Sequence, residues 1–477
     1  MKTYKLRING RHYAQLREHL FPGDGNEAIA FALCGRYQQG EEEIYSVHHV
    51  ELYPHEKCLI RRPDRVMWSP PDLVPLFERC RHERLFLLKV HCHPGHWPWF
   101  SEVDDESDWQ LAETLTGWTG RQEPLLSAIM LADGHVFGRA VGEGGQFTDI
   151  DYTLVVGDDL YLFRPFDASG RPRGTESSAD PEVQLRTRQA FGEGTTNILR
   201  KLRVGVVGCS GTGSITAELL GRLGVGQLVL VDPDKVELKN LNRILNSTLQ
   251  DADEKRPKVR VLKAAIEAMG TGVEVEVLDE DLHSFKAYHA IAGCDVVFGC
   301  MDSVDGRYLL NRIATFFVSA YFDMGVRLNA DGAGGIDGVD GRVDYLQPGG
   351  SSLLSRGRFT PKQLADAGLA RTDPQEYERQ LKEGYVKGAQ VDSPAVISIN
   401  MFYASQAVNE LLARLHPFRS YSNARLASIE FSISGVLLIK SSDGEPDKEL
   451  SSLVGLGEIF PPLRSPRLIV LQEQAAQ

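Results

Sequence analysis

The chain has 477 residues, enough for two or three domains at the roughly 150 residues usual for one. Its 52 Lys+Arg against 65 Asp+Glu leave a formal net charge of -13, which sets it against non-specific binding of nucleic acid, and 42% apolar with 25% charged residues is the make-up of a folded globular chain. No stretch approaches the roughly 18 uncharged apolar residues of a membrane span, and the Met1–Arg7 start lacks a hydrophobic secretory segment, so a cytoplasmic protein without a membrane partner is expected. The seven cysteines (Cys34, Cys58, Cys80, Cys92, Cys209, Cys294, Cys300) form no CxxC pair, which excludes a zinc ribbon, and none follows Cys300.

In the first half, Ala28–Leu33 and Leu85–Val90 are apolar runs suited to buried strands, while Pro71–Arg81 and Glu102–Leu115 carry helical spacing, predicting a mixed α+β domain. Ten of the thirteen histidines lie in the first 135 residues, so chemistry based on imidazole belongs there. The strand before residue 91 runs into His91-Cys92-His93-Pro94, and residues two apart on an extended chain point to one side. Both imidazoles can meet one ion. Ser101 is a good N-cap for the following helix and Asp104 falls in its first turn. Two histidines and a carboxylate with an open fourth position make the ligand set expected of catalytic zinc, which acidifies a bound water to a pKa of about 7.

The spacing His-x-His-x7-Ser-x-x-Asp, with Glu27 upstream in an apolar stretch, resembles the JAB/JAMM metalloprotease family over about residues 1 to 160. The resemblance implies His91, His93 and Asp104 as Zn2+ ligands, Glu27 as the general base, Ser101 as an oxyanion donor, and a scissile peptide or isopeptide bond after a ubiquitin-like C-terminus.

Asp167 to Pro181 is rich in Gly, Pro and Ser without hydrophobic period, predicting a linker over residues 166–182 between domains at 1–165 and 183–477. Beyond it, strand Arg203–Val207, a glycine turn, helix Ser214–Leu223 and strand Leu228–Val231 make a βαβ unit with parallel strands. Gly208, Gly211 and Gly213 sit between strand and helix, where backbone amides can approach a phosphate, and Asp232 ends the next strand, a place for a ribose acceptor. Ser210 stands where a dinucleotide fingerprint needs its second glycine, which leaves NAD a weak reading. An apolar-periodic helix runs to Leu415, and Ser428–Ile433 and Val436–Ile439 read as short strands.

The series Asp232 to Arg243, then Arg256-Pro257-Lys258-Val259, then Cys300-Met301-Asp302-Ser303 resembles, in order and spacing, the adenylation core of the ThiF/MoeB/HesA family, relatives of ubiquitin-activating enzymes, over about residues 183 to 415. The fold implied is a Rossmann-like α/β domain with a mainly parallel sheet, following an N-terminal α+β JAB/MPN-like one. Asp232 then contacts ribose, Asn240, Arg243 and Lys258 contact phosphates, Asp302 holds Mg2+ at ATP, and Arg188 reaches into the partner's ATP site across a homodimer. The crossover loop, about residues 350 to 394, lacks the cysteines many relatives carry there, which leaves the adenylate to pass to a partner's cysteine, to be captured as an oxyester by Ser352, Ser355 or Ser393, or to be released to another acceptor. The expected activity is adenylation of the C-terminus of a ubiquitin-like β-grasp protein, joined to zinc-dependent removal or trimming of that modifier, with a conjugating-enzyme partner supplying the acceptor cysteine. A bacterial modifier system, in antiphage defence, is the setting the fusion implies. Activation of a sulfur carrier or peptide, or an inert module docking ubiquitin-like tails, are the rival expectations.

Overall fold

The computed structural model describes residues 2–174, 182–330, 335–382, 396–466 and 468–469. The chain divides into two compact units, 1–174 with 315–318 and 452–459, and 175–314 with 319–451 and 460–477.

The first unit holds an eight-stranded sheet that closes on itself and a separate hairpin. The strands are β1 (Thr3–Asn9), β2 (Ile29–Gln39), β3 (Glu42–Leu52), the separate hairpin β4 (Ile60–Arg62) and β5 (Arg65–Met67), β6 (Phe86–His93), β7 (Leu125–Leu131), β8 (Val136–Val141), β9 (Phe147–Val156) and β10 (Leu160–Phe163). The order is β1-β3-β2-β6-β7-β8-β9-β10, and β1 also pairs in parallel with β9, so β1 has a neighbour on each side. Closure pairs the β1 edge that an open sheet would expose, while β10, paired with β9, stays at an edge. All eight residues of β6 are buried. Its Phe86, Leu88, Val90 and Cys92 enter the main core with Ala30, Ala32 and Met130, and period-2 alternation sends Lys89, His91 and His93 to the opposite face. The helix Gly10–Leu20 packs by Tyr13, Leu16 and Leu20 and starts at Asn9, whose side chain accepts from the His12 amide.

The second unit carries β11 (Arg203–Val207), β12 (Gln227–Val231), β13 (Glu274–Leu278), β14 (Val296–Gly299), β15 (Ala320–Ala330), β16 (Ile336–Leu346), β17 (Ser428–Ser432) and β18 (Leu437–Ser441), in the order β13-β12-β11-β14-β15-β16-β17-β18. The five strands β13 to β15 in that order pair in parallel; β16, β17 and β18 continue antiparallel. From β11 the chain builds outward through β12 and β13, then returns to add β14 on the other side. That reversal leaves a crevice at the carboxyl ends of β11 and β14, where open α/β sheets bind ligands.

Three sequence expectations change. Residues 166–174 of the predicted linker turn back on the first unit: Phe166 pairs with Pro172 and Asp167 accepts from the Ser169 and Arg171 amides. Residues 361–382 of the predicted crossover loop form two helices, Pro361–Thr372 and Pro374–Lys382; 383–394, with Ser393, lie outside the described residues. Finally, 452–459, expected in the second domain, belong to the first unit because Gly35 N–H donates to the Gly455 carbonyl at 2.9 Å and Glu458 N–H to the Arg36 carbonyl at 2.7 Å. No periodicity marks so short a backbone-paired segment.

A Cβ on Gly35 would overlap the Leu456 backbone. Gly35→Ala is therefore expected to lower stability by about 1–3 kcal/mol, read as a lower Tm together with faster proteolysis near residue 455; a Tm unchanged from the parent contradicts that packing.

Candidate functional site

On the outward face of β6, His91 and His93 meet Asp104, and the ligand atoms of these three lie within 4.8 Å of one another. The two Nε2 atoms are 3.2 Å apart, and Asp104 Oδ1 lies 3.1 Å from His91 Nε2. Zinc–ligand distances of about 2.0–2.1 Å in a tetrahedron place neighbouring ligand atoms about 3.3 Å apart, so the three fit that ion. His93 Nδ1 lies 2.8 Å from the Trp97 carbonyl, which fixes the proton there and leaves Nε2 as a lone pair facing the cluster. Glu27 Oε1 stands 3.9 Å from His93 Nε2. Burial, with the charges of Asp104 and Asp64 added, pushes the Glu27 carboxyl up to about 8, whereas Asp104, although burial works the other way, is held well below the usual carboxylate range by His91 and the Ser101 amide.

Ser101 has a second task. Its hydroxyl accepts from the Asp104 amide and donates to the Asp104 carboxylate at 2.8 Å while the Ser101 amide donates to the same carboxylate, a reciprocal cap. The cap holds Asp104 in place, and Ser101 can donate to an oxyanion only after its hydroxyl turns.

The second site is a cleft of about 1300 Å³ in the second unit, and Gly208, Gly211, Asp232, Asn240, Arg243, Lys258 and Asp302 all line it. Gly208 has φ +88, and a Cβ there would come 2.8 Å from the Cys300 carbonyl oxygen. Gly213 does not line the cleft; a Cβ on it would overlap the Gly208 carbonyl, so it serves closure of the turn. Asp232 is buried and accepts from two amides, Cys209 N–H at 2.6 Å and Asp234 N–H at 2.8 Å. Burial raises its pKa against the pull of Lys258. Lys258, itself buried, pairs with Asp234 at 2.7 Å. Asn240 accepts from the Glu237 amide, and Arg243 spends one nitrogen on the Lys239 carbonyl. Asp302 is exposed at the mouth of β14.

Away from the loop, the cleft floor is the antiparallel sheet. Gly325, Arg342, Glu430 and Ile439 form one cross-strand row, Arg327, Asp340, Ser432 and Leu437 the next, and all eight line the cleft. Arg188 does not: it is half-buried on the helix Leu185–Lys201. Sequence reasoning missed Arg307, early in the helix Val304–Phe317, whose guanidinium is held by buried Asp323 at the cleft wall, with Nε to Oδ1 at 2.8 Å. Asn400, inward on the helix Ile397–Leu415, and Arg371, bridging Asp281 and Asp305, were also missed. These depend on segments far apart in sequence. Ser352 is corrected: it is buried and donates to Asp447 at 2.5 Å, while Ser355 donates to the Ser352 carbonyl, so both close a turn.

The family model described as the ThiF family matches residues 183–430, more than half of the chain, and the chain belongs to that family. Ubiquitin-like modifier-activating enzyme 5 of Bombyx mori is 28% identical over 168 residues, 33% of this chain and 40% of that one. The protein of the same name from Drosophila erecta is 31% identical over 169 residues, again 33% of this chain and 39% of its own. The chain thus spans about two-fifths of the length of these curated relatives. Among solved structures, E. coli MccB is similar at a TM-score of 0.43 and 14% identity, over 58% of this chain and 73% of that one. The family match begins at residue 183, so the reading of the first unit rests on its own geometry.

Glu27 supplies a pH test. Its folded pKa of about 8 exceeds the ordinary 4.5, so between those values the unfolded chain has released a proton that the folded one keeps. The contribution of Glu27 to the stability of metal-stripped protein is therefore expected to fall as pH rises from about 5 to 8, while histidines whose pKa burial lowers, such as His12 and His93, act in the opposite direction. Urea denaturation at both pH values should show the parent losing stability relative to Glu27→Gln as pH rises; an unchanged difference between the two refutes it.

Proposed function

We propose that the second unit adenylates the C-terminal carboxylate of a ubiquitin-like β-grasp protein and that the first unit hydrolyses a peptide or isopeptide bond to the same modifier. The observation that carries the first half is the gathering of the glycine turn, Asp232, Asn240, Arg243, Lys258 and Asp302 along one cleft whose floor continues as a sheet face. A nucleotide at the turn end leaves that face for an extended polypeptide end.

A carboxylate attacking an α-phosphate meets charge repulsion, and fixed cations relieve it without reorganising. Lys258 and Arg243 are the two cations named by the sequence, and Arg307 adds a third that Asp323 holds in place. Asp302 would hold magnesium, which neutralises pyrophosphate as it departs. Asp232, held by two amides, receives the ribose hydroxyls.

The activated carboxyl then leaves on an acceptor from another molecule. The thiols nearest the glycine turn, Cys209 and Cys300, are both pushed up by burial, Cys300 to about 12, so neither is a thiolate near neutral pH. A conjugating-enzyme cysteine fits the need. In a homodimer, Arg188 would complete the neighbouring cleft.

In the first unit, His91, His93 and Asp104 would hold zinc, which when bound supplies an acidic water and polarises the scissile carbonyl. Glu27, 3.9 Å from His93 Nε2, would take the proton from that water and return it to the departing amine.

The two halves separate by mutation. Asp302→Asn is expected to lower ATP–pyrophosphate exchange by about 10²-fold and spare cleavage of a modifier fusion; Glu27→Gln should lower cleavage by about 10²- to 10⁴-fold and spare exchange. Loss of both activities in either variant overturns the division.

A further inference from the structure

Asp104 can meet His91 and His93 only if the start of the helix Glu102–Thr119 is held against β6, and apolar packing does this only in part, through Phe100 on Ile129, Leu131 and Phe137 just before the helix. The buried residues of that helix are Asp108, Leu111 and Leu115, while Val103 and Trp109, near its start, are exposed. Charge supplies the rest. Lys89, two residues before His91 on the same face of β6, lies 2.5 Å from Asp108 and donates to Ser107 Oγ at 3.2 Å. Arg139 of β8 pairs with Asp108 at 2.7 Å and with Asp105, the neighbour of Asp104, at 2.5 Å. The side chains of Lys89, Asp108 and Arg139 are 2%, 0% and 6% exposed.

Arg139 does more than pair. Its guanidinium lies between the rings of Phe100 and Phe147, 3.8 and 4.0 Å from their centroids, and Phe100 meets the His91 ring edge-on at 6.5 Å. His91 depends on that contact, because its Nδ1 is buried with no hydrogen-bond partner among the described residues, whereas His93 Nδ1 has the Trp97 carbonyl. A metal-ligating imidazole is ordinarily oriented through its second nitrogen. His91 is oriented by packing.

We propose that Arg139, acting with Lys89 through Asp108, is a positioning residue of the metal site, placing Asp104 through its helix turn and His91 through Phe100. The inference rests on the zinc reading above. A planar fork is required, since one ammonium cannot span Asp105 and Asp108 while stacking on two rings.

The test uses the full chain and zinc titrated against a chromophoric chelator. Arg139→Lys, which keeps the charge, should lower zinc affinity 10- to 100-fold and alter the visible spectrum of the cobalt-substituted protein; Phe100→Leu should shift both in the same direction by less. Leu111→Ala, which removes apolar packing from the same helix, should lower Tm and leave zinc affinity unchanged, and tryptophan fluorescence reports that the first unit of each variant is folded, since all five tryptophans (Trp68, Trp97, Trp99, Trp109, Trp118) lie there. A folded Arg139→Lys with parental affinity and cobalt spectrum overturns the proposal, as does an equal loss of affinity in Leu111→Ala. Parental protein that takes up no zinc removes the metal reading and this inference with it.

Discussion

Asp232 is the carboxylate on which the nucleotide end of the second unit depends. It is buried at the end of β12, and the amides that satisfy it come from two places: Cys209 in the glycine turn after β11 and Asp234 in the segment after β12. One side chain thereby ties the turn to the neighbouring strand. A buried charge left unsatisfied would be expelled or neutralised, so the two amides and Lys258 are the conditions under which an acid can stand there at all. The same bonds set the turn that faces the nucleotide and place Lys258 beside it.

The first unit solves a related problem differently. The proposed metal cluster would need ligands from a strand and a helix held within tenths of an ångström, but the helix that carries Asp104 buries its leucines, Leu111 and Leu115, only beyond its first two turns. Ion pairs from Lys89 and Arg139 take that place, in a setting where nearly complete burial makes geometry decisive. Glu27, by contrast, gains too little from Lys89 to offset burial, which with the charges of Asp104 and Asp64 raises its pKa to about 8 in the metal-free protein. Two carboxylates a few ångströms from the same histidine thus titrate in opposite directions.

Much of this was legible because local rules govern it. His91 and His93 share a face by strand alternation, Ser101 caps the helix that brings Asp104, and the glycine turn lies between strand and helix with Asp232 beyond it. The family match over 183–430 agrees with the resemblance read from the ordered series that ends at Asp302. Arg307, Arg371 and Asn400 were not legible, since an arginine or asparagine on a helix carries no mark of what it faces until the sheet and distant segments are in place.

By itself the sequence determined the βαβ start of the second unit, the strand that ends in paired histidines, and the residue types offered to a metal and to a nucleotide, all consequences of periods of two and 3.6 residues and of turn chemistry. Only the tertiary structure decided that β1 closes the first sheet onto β9, that 452–459 belong to that unit, and that Gly213 closes a turn while Arg307 faces the cleft. Those outcomes depend on backbone pairing and ion pairs between residues tens to hundreds of positions apart, and such contacts leave no period in the chain.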